Sequence, residues 1–109
     1  MHEIKENRRT LRDGTQITTF TRDVISANIL EVEAGTTGYM GGDSGHGGRT
    51  YFRISNDFGT DIDVTPFTDK YGCDGFEVTL GGDCELETII RALKFITKVL
   101  EDESEEVYD

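Results

Sequence analysis

Short runs in which apolar and polar side chains alternate dominate the pattern along the chain. In the segment 26–34, Leu30, Val32 and Ala34 alternate with two glutamates. Because successive side chains of a strand point to opposite faces of a sheet, this period of two predicts a half-buried strand. The same alternation predicts strands over 49–55, 60–65 and 75–80, with apolar side chains at Phe52, Ile54, Ile62, Val64, Phe76, Val78 and Leu80. The short connections between these segments favour antiparallel pairing.

The N-terminal part of the chain is predicted to form a β-hairpin. Asp13-Gly14 favours a two-residue type I′ turn, because that turn needs positive φ at both central positions and this dipeptide tolerates it. The arms are predicted over 5–12 and 15–22. The second arm is rich in threonine, isoleucine and phenylalanine, which favour strands.

A helix is predicted after the last strand. Gly81-Gly82 ends that strand, and Asp83 is expected to cap the first amides of the helix. Glu85 and Glu87 complement the positive end of the helix. Apolar side chains and one threonine recur at steps of three and four residues, at Leu86, Ile89, Ile90, Leu93, Ile96, Thr97 and Leu100. This spacing predicts one apolar stripe that lies across a face of the sheet.

Two further apolar residues of this helix, Phe95 and Val99, lie away from the centre of the stripe. They indicate a second buried contact on the helix. Either a second copy of the chain or the N-terminal hairpin can supply it. Beyond Glu101 the chain is strongly acidic and is expected to fray into solvent.

Length and composition bound the fold. A chain of 109 residues, 35% of them hydrophobic, is large enough for one core and too small for two. We predict a single α+β domain, a mostly antiparallel sheet of about five to six strands with one C-terminal helix packed on a face. A β-hairpin arm is expected over 1–22, an α+β core over 23–100 and an acidic frayed tail over 101–109.

The charge of the chain is large and unevenly distributed. The formal net charge is −11 at pH 7, with a mildly basic start over 1–22 and a strongly acidic end over 99–109. Such an excess of carboxylates repels a phosphate backbone, so direct nucleic-acid binding is not expected. The acids either keep a small oligomer soluble or imitate nucleic-acid phosphates in order to occupy the basic groove of a partner.

The sequence shows no targeting or membrane-spanning segment. The sequence has no apolar run of about eighteen residues, as a membrane span requires. It also has no charged start followed by an apolar stretch, as a signal peptide requires, so no membrane contact is expected. A cytoplasmic protein is predicted. Cys73 and Cys84 are expected to be free thiols, since they do not form a Cys-x-x-Cys pair. No cofactor is expected, and a zinc site at these cysteines is not expected either, because the further imidazole ligands it would need are limited to His2 and His46.

Glycine is concentrated between residues 35 and 49. Seven of the 13 glycines lie there, at Gly35, Gly38, Gly41, Gly42, Gly45, Gly47 and Gly48. Such a density is expected where the backbone must turn with positive φ or approach another group closely. Successive amides of a glycine loop can form an anion-binding nest, and Arg49 adds a bidentate phosphate donor.

Side chains around these glycines complete a predicted ligand site. Arg53 is expected on the same strand face as Arg49 and Tyr51, because side chains alternate along a strand. Tyr39 or Tyr51 can stack on a base, while Asp43 can accept from a ribose hydroxyl or an exocyclic amine. The predicted ligand-binding set is Gly38, Tyr39, Gly41, Gly42, Asp43, Ser44, His46, Gly47, Arg49, Tyr51 and Arg53. The alternative is a long ordered loop that packs its glycines against a sheet edge or a neighbouring subunit.

Catalytic and metal motifs in this segment are weak. The Walker pattern fails because no Lys-Ser or Lys-Thr follows the glycines, and the dinucleotide fingerprint fails because the next element is a predicted strand. The sequence Gly-Asp-Ser-Gly at 42–45 is similar to the nucleophile segment of chymotrypsin-like proteases, but the chain is about half of what their paired barrels need. Asp43 and His46 can supply two metal ligands, with Asp61 or Asp63 as a third.

Two stretches have a distinctive amino-acid sequence: Gly35-Thr-Thr-Gly-Tyr-Met-Gly-Gly-Asp-Ser-Gly-His-Gly-Gly-Arg-Thr-Tyr-Phe-Arg-Ile54, and Gly81-Gly-Asp before the C-terminal helix. Together they resemble small uncharacterised proteins carried by phages and mobile elements of Gram-positive bacteria, over residues 29–100. No assigned chemistry comes with this resemblance. Small acidic phage proteins in turn resemble counter-defence factors, among them anti-CRISPR inhibitors and sponge proteins that sequester cyclic nucleotide or cyclic ADP-ribose immune signals.

A fold does not determine a function, so the sequence leaves three function hypotheses open. The first is a non-enzymatic homo-oligomer, a dimer or higher, that sequesters a small phosphate-containing ligand such as a cyclic nucleotide signal through the glycine-rich segment. The second is an anti-CRISPR-type inhibitor that imitates nucleic acid with the tail from Glu101 and with Asp57, Asp61, Asp63 and Glu77. The third is a small metal-dependent hydrolase that uses Asp43, Ser44 and His46.

Overall fold

A computed structural model of the protein describes residues 4–26, 28–39, 47–59 and 61–104. These ranges contain six strands and one helix: β1 (Lys5–Thr10), β2 (Gln16–Ile25), β3 (Ile29–Thr36), β4 (Thr50–Phe58), β5 (Ile62–Thr68), β6 (Asp74–Leu80) and α1 (Asp83–Glu103). The strands are antiparallel and form a four-stranded sheet in the order β1-β2-β3-β4 and a two-stranded sheet of β5 and β6. The predicted α+β class is therefore confirmed. No helix within these ranges is both long and apolar enough to cross a membrane.

The turn between β1 and β2 is wider than predicted. β1 ends at Thr10 and β2 begins at Gln16, so five residues connect them. Gly14 adopts a φ of 91° but Asp13 does not have positive φ, which rules out the predicted type I′ turn. The Asp13 side chain instead accepts a hydrogen bond from the backbone amide of Thr15 at 3.0 Å. This bond satisfies a turn amide by local side-chain chemistry.

The N-terminal hairpin is continuous with the rest of the sheet. β1 pairs with β2 from Lys5 opposite Thr21 to Thr10 opposite Gln16. The other edge of β2 pairs with β3, with Phe20 opposite Ala34 at one end. β2 and β3 are therefore interior strands, and side chains that alternate along them are sorted between two faces of one sheet.

The apolar core lies between β3 and α1, as the alternation in β3 predicts. Leu30, Val32 and Ala34 are completely buried on the helix side of the sheet. α1 begins beside Asn28, whose side-chain amide donates to Glu85 at 3.1 Å. The helix has no side-chain cap, because Gly82 occupies the N-cap position and Asp83 is the first helical residue. The predicted cap at Asp83 is therefore wrong, although Asp83 and Glu85 do lie in the first turn.

The apolar stripe predicted for α1 is only partly correct: Ile96 is buried and Ile89 and Leu100 pack against the core, but the rest of the predicted stripe is exposed. The residues of α1 that are buried are Thr88, Ala92, Phe95, Ile96 and Val99. Phe95 and Val99, which were expected to need a second contact, therefore belong to the main core, whereas Leu86, Ile90 and Leu93 are 57%, 43% and 49% exposed. The small side chains of Thr88 and Ala92 give the physical reason, because they allow the helix to approach the sheet closely. A pattern built on large apolar side chains does not register them.

The β5–β6 hairpin adds a second, smaller apolar face. Ile62 lies opposite Leu80 and Val64 opposite Val78, so the apolar residues share one side as predicted. The end at Ile62 joins the core. Towards the tip, the ring of Phe76 lies 6.1 Å from the ring of Phe52 on β4, and both remain about half exposed.

Candidate functional site

The face of the four-stranded sheet that α1 does not cover is almost entirely polar. It carries the side chains that alternate with the core residues, so we call it the helix-free face. The strand registers place there Lys5, Asn7 and Arg9 from β1, Thr19, Thr21 and Asp23 from β2, Glu31 and Glu33 from β3, and Tyr51 and Arg53 from β4. The candidate binding residues lie on this face because the apolar core and α1 cover the other face.

Glu33 is the central charged residue of the helix-free face. Its carboxylate is only 5% exposed and accepts two hydrogen bonds from Arg9, from Nε and Nη2, each at 2.8 Å. The hydroxyl of Thr19 donates a third, at 2.6 Å. The guanidinium of Arg9 also lies 4.7 Å from the centre of the Tyr51 ring. A buried carboxylate and an aromatic ring thus fix the orientation of Arg9 across the sheet.

The same contacts keep this pair ionised. Burial acts to raise the pKa of Glu33, whereas the hydrogen bonds from Arg9 and Thr19 and the charge of Arg9 lower it. The lowering effects together are larger, so the pKa lies below its ordinary value of 4.5. The hydrogen bond to Glu33 in turn raises the pKa of Arg9 above its ordinary value. Arg9 is therefore a permanent, oriented cation on this face.

Two concave regions adjoin Arg9. One has a volume of about 530 Å³ and is lined mainly by Lys5, Arg8, Arg9 and Arg53 together with Glu31 and Glu33. The other, of about 590 Å³, extends past Tyr51 to the β1–β2 turn and is lined there by Arg12 and Asp13. Five of the 11 lysines and arginines line these two regions: Lys5, Arg8, Arg9, Arg12 and Arg53. Arg49 lies beside them, bound to Asp13, whereas the side chain of Arg8 points to the opposite face and donates to Thr18.

Arg49 and Arg53, both predicted site residues, are held by carboxylates. Arg49 Nε donates to Asp13 at 2.6 Å, and its Nη1 donates to the carbonyl oxygens of Gly47 at 3.0 Å and Gly48 at 3.3 Å. The hydrogen bond from Arg49, with help from the Thr15 amide, lowers the pKa of Asp13 to about 2. Arg53 forms an ion pair with Glu31 at 3.0 Å and keeps 45% of its side chain exposed. Arg53 shares the helix-free face with Tyr51, whereas Arg49 lies at its rim.

The two ends of the glycine-rich segment meet at Gly38 and Gly48. The amide of Thr37 donates to the Arg49 carbonyl at 2.9 Å, and the Arg49 amide donates to the Thr37 hydroxyl at 2.9 Å. A Cβ atom at Gly48 would overlap the carbonyl oxygen of Gly38, so close approach explains the glycine at this position. Residues 38–48 are thereby joined at the base. The predicted nest residues Gly41, Gly42, Asp43, Ser44 and His46 lie outside the described ranges.

The remaining predicted residues divide between the site and the framework. Tyr39 follows Gly38 and is strongly exposed, while Tyr51 lies under Arg9 on the helix-free face. Gly35 is buried within β3, and a Cβ atom there would overlap the Thr18 carbonyl oxygen and lie 2.8 Å from Cγ2 of Thr19. Gly35 therefore has a packing role within the sheet, because it allows β2 and β3 to approach closely.

Several residues of this face were missed by the sequence interpretation. Arg9 and Glu33 are 24 positions apart in the chain, and only the pairing of β1, β2 and β3 brings them together. Arg12 and Asp13 were assigned only to the hairpin and its turn. The local sequence carries no signal for this pair, because the alternation in β3 places Glu33 on the polar face and its burial depends on the neighbouring strands.

Three carboxylates form the acidic end of the same face. Asp23, Glu31 and Asp57 offer oxygen atoms that all lie within 4.8 Å of one another, and one oxygen of Asp23 is buried with no hydrogen-bond partner. Carboxylates in such a group suit a hard cation or the hydroxyl and amine donors of a ligand. Glu31 is shared with Arg53. The predicted metal ligands Asp61 and Asp63 are exposed beside and on β5 and do not join this group.

A further concavity lies on the helix side of the sheet, between β2 and α1. Its volume is about 560 Å³, and its floor is apolar, with Phe20, Phe95 and Val99. Its rim carries four basic residues, Arg22, Arg91, Lys94 and Lys98, and two acidic ones, Asp102 and Glu103, of which Asp102 pairs with Lys98. Such a site suits an anion with an apolar body, and it provides a spatially separate alternative to the helix-free face.

No protein-family model matches this chain, and no curated protein or solved structure shows significant similarity to it. Its function has therefore to be inferred from its own side chains.

Proposed function

We propose that this protein binds a small phosphate-containing ligand at the cationic end of the helix-free face, beside the glycine-rich segment, and sequesters that ligand without converting it. One observation carries the proposal. In a chain with a net charge of −11, five of the 11 basic residues line two adjoining concavities, and a sixth, Arg49, is bound to Asp13 beside them. A local excess of cations in an acidic protein favours an anionic ligand at that place.

Arg9 is the expected anchor of the ligand. A guanidinium has five N–H groups, and Arg9 donates two of these bonds to Glu33. The remaining donors can bind a phosphate without disturbing the pair that orients them. Because the orientation exists before binding, little side-chain entropy is lost when the ligand arrives. Arg12 and Arg53 flank this anchor in the two concavities.

The dimensions and polarity of the face favour a ligand of nucleotide size. The concavities of about 530 and 590 Å³ lie within the usual range for small-molecule sites, about 300 to 1,000 Å³. Arginines at one end suit phosphates, and the carboxylates of Asp23, Glu31 and Asp57 at the other suit sugar hydroxyls or base amines. The exposed ring of Tyr39 is available for stacking.

We further propose a biological role in counter-defence, which rests on a resemblance to other small acidic proteins. Small acidic phage proteins resemble sponges that remove cyclic nucleotide signals, and a binder of this kind in the host cytoplasm would act in counter-defence. Ligand binding alone is sufficient for that role, so no catalytic residue is assigned.

The proposal can be tested by calorimetry and thermal shift with cyclic di- and trinucleotides, with mass spectrometry of ligand that co-purifies. Arg12→Ala and Arg53→Ala should each weaken binding about tenfold or more, since a hydrogen bond to a charged group is worth about 1.5–3 kcal/mol. Lys70→Ala, at the exposed tip of the β5–β6 hairpin, is the matched control and should bind normally. The proposal fails if no nucleotide stabilises the protein. It also fails if only Arg91→Ala, in the concavity beside α1, reduces binding.

A second candidate, an inhibitor that imitates nucleic acid, is favoured by one observation. Asp63 and Glu77 lie on the same exposed face of the β5–β6 hairpin, opposite its apolar side. Carboxylates presented in this way can occupy a basic groove. This candidate predicts a partner interaction that weakens steeply with salt and with Asp63→Lys or Glu77→Lys. It is wrong if those reversals change nothing while Arg12→Ala abolishes activity.

A further inference from the structure

The side of α1 that points away from the sheet carries an apolar seam, formed by Leu86, Ile90, Leu93 and Thr97. The first three are about half exposed, although they are large apolar side chains. Their separations of four, three and four residues place them in one row along the helix, as at the a and d positions of a coiled coil. A row of this kind is the standard contact surface for a second helix.

We propose that two copies of this chain associate through this seam, with their α1 helices antiparallel about a two-fold axis between Ile90 and Leu93. A two-fold contact is isologous, so the same surface must supply both halves and must be complementary to itself. The shape, the charges and the area of this side of the molecule each meet that requirement.

The shape is complementary to itself. Leu86 is the most exposed residue at one end of the seam, at 57%. At the other end, around the small Thr97, the surface has a depression of about 440 Å³ between Leu93 and Glu101. A two-fold axis midway along the seam places Leu86 of each copy over Thr97 of the other. The projecting leucine then fills the depression, as a knob fills a hole.

The charges select the antiparallel arrangement. Glu87 and Lys94 are exposed on the same flank of the seam, two helical turns apart. Antiparallel helices place Glu87 of each copy beside Lys94 of the other, which makes two ion pairs, whereas in a parallel pair this flank lies on opposite sides in the two copies and these ion pairs cannot form. The helix dipoles also favour opposite directions. At the ends, Asp83 approaches both Lys98 and Glu101 of the second copy, so these charges largely cancel.

The exposed apolar area is close to what a stable dimer needs. Phe52 pairs with Ala34 in the sheet and therefore lies on the helix side, next to Phe76. Together with Leu86, Ile90 and Leu93 these rings leave five large side chains about half exposed, on the order of 400 Å² of apolar surface. Because roughly 60% of an interface is apolar, this apolar area corresponds to a total interface of roughly 700 Å² per copy. A protein–protein interface of standard size buries about 800 Å² per partner.

The arrangement leaves the helix-free face open on both copies. The seam and the helix-free face lie on opposite sides of the four-stranded sheet. A dimer through α1 therefore presents two helix-free faces outward. Dimer formation and ligand binding are consequently independent, and failure of one leaves the other standing.

Sedimentation equilibrium of the full chain, from about 1 to about 100 μM, tests the proposal. The wild type should be dimeric, and Leu93→Glu should be monomeric while circular dichroism and thermal unfolding show an intact fold, because Leu93 is exposed. Glu87→Lys and Lys94→Glu should each raise the dimer dissociation constant about tenfold, and the double variant should restore it to about the wild-type value. Glu77→Lys, outside the seam, is the control for a change of net charge. A monomeric wild type, a dimeric Leu93→Glu, or a double variant as weak as the single ones would overturn the proposal.

Discussion

The two faces of the four-stranded sheet are built from the same strands but are stabilised in different ways. β3 contributes to both: Leu30, Val32 and Ala34 point into hydrocarbon under α1, while Glu31 and Glu33 point to the polar side. The helix-covered face gains stability from buried area, at about 1.5–3 kcal/mol for each large side chain. The helix-free face depends on individual ion pairs, and its exposed pairs are worth about 0–1 kcal/mol. The exposed candidate site residues thus lie where substitution disturbs folding least.

The sharpest test of this difference removes one core side chain. Leu30→Ala should lower the free energy of unfolding by about 3 kcal/mol, because Leu30 is fully buried and the truncation leaves a cavity. Leu86→Ala, the same change at an exposed position, should cost less than about 0.5 kcal/mol in the monomer. Urea unfolding at low protein concentration measures both. Equal losses for the two variants would contradict the assignment of the core face of α1.

A second test compares the two glutamates of β3. Glu33→Gln should cost about 2 kcal/mol, since it leaves the Arg9 guanidinium beside a neutral partner in a buried site. Glu31→Gln should cost less than about 1 kcal/mol, because its pair with Arg53 is exposed. In 1 M salt the Glu31 effect should vanish and the Glu33 effect should persist. If salt removes both effects, Glu33 is not the buried anchor of Arg9.

Acid titration should sharpen the same contrast. The pKa of folded Glu33 lies below its ordinary 4.5, so its contribution to stability is complete above about pH 4.5 and is lost as the pH falls through the lowered value. The Glu33→Gln variant should therefore lose less stability than the wild type as the pH falls below about 4.5. Urea midpoints across this range give the measurement. A variant whose acid sensitivity matches the wild type would contradict the depressed pKa.

The smallest expected effect concerns the rim of the helix-free face. An NMR titration should give Asp13 a pKa of about 2, and Arg49→Ala should return it towards 3.8 because the main hydrogen bond is lost. Global stability should change little, since the pair is solvent-exposed. Arg12→Ala, a neighbouring change of charge without that bond, is the control. An unchanged Asp13 titration in Arg49→Ala would exclude the pair in solution.

Local periodicity in the sequence predicted much of the fold but not its long-range partners. The alternation in β3, β4, β5 and β6 and the three-to-four spacing of α1 are properties of neighbouring residues, and the structure confirms these elements. The rotation of α1 could not be predicted in the same way, because it depends on how closely Thr88 and Ala92 allow the helix to approach the sheet. The width of the β1–β2 turn depends on the side-chain bonds of Asp13.

The candidate site shows the same division. Tyr51 and Arg53 were predicted to share a strand face, and β4 places them so. Arg9 and Glu33 were not connected, because their contact requires the register of three strands. The role of the glycine-rich segment as a nest stays a prediction, since its central residues lie outside the described ranges.

The contact between Gly38 and Gly48 has a consequence for how such proteins can diversify. The main chain leaves the sheet and returns to it at nearly the same point, so the sheet does not depend on the length or composition of what is inserted there. Doubling the length of a loop anchored in this way costs only about 0.6 kcal/mol. The segment between these two glycines can therefore be lengthened or replaced as a cassette without refolding the sheet that carries it.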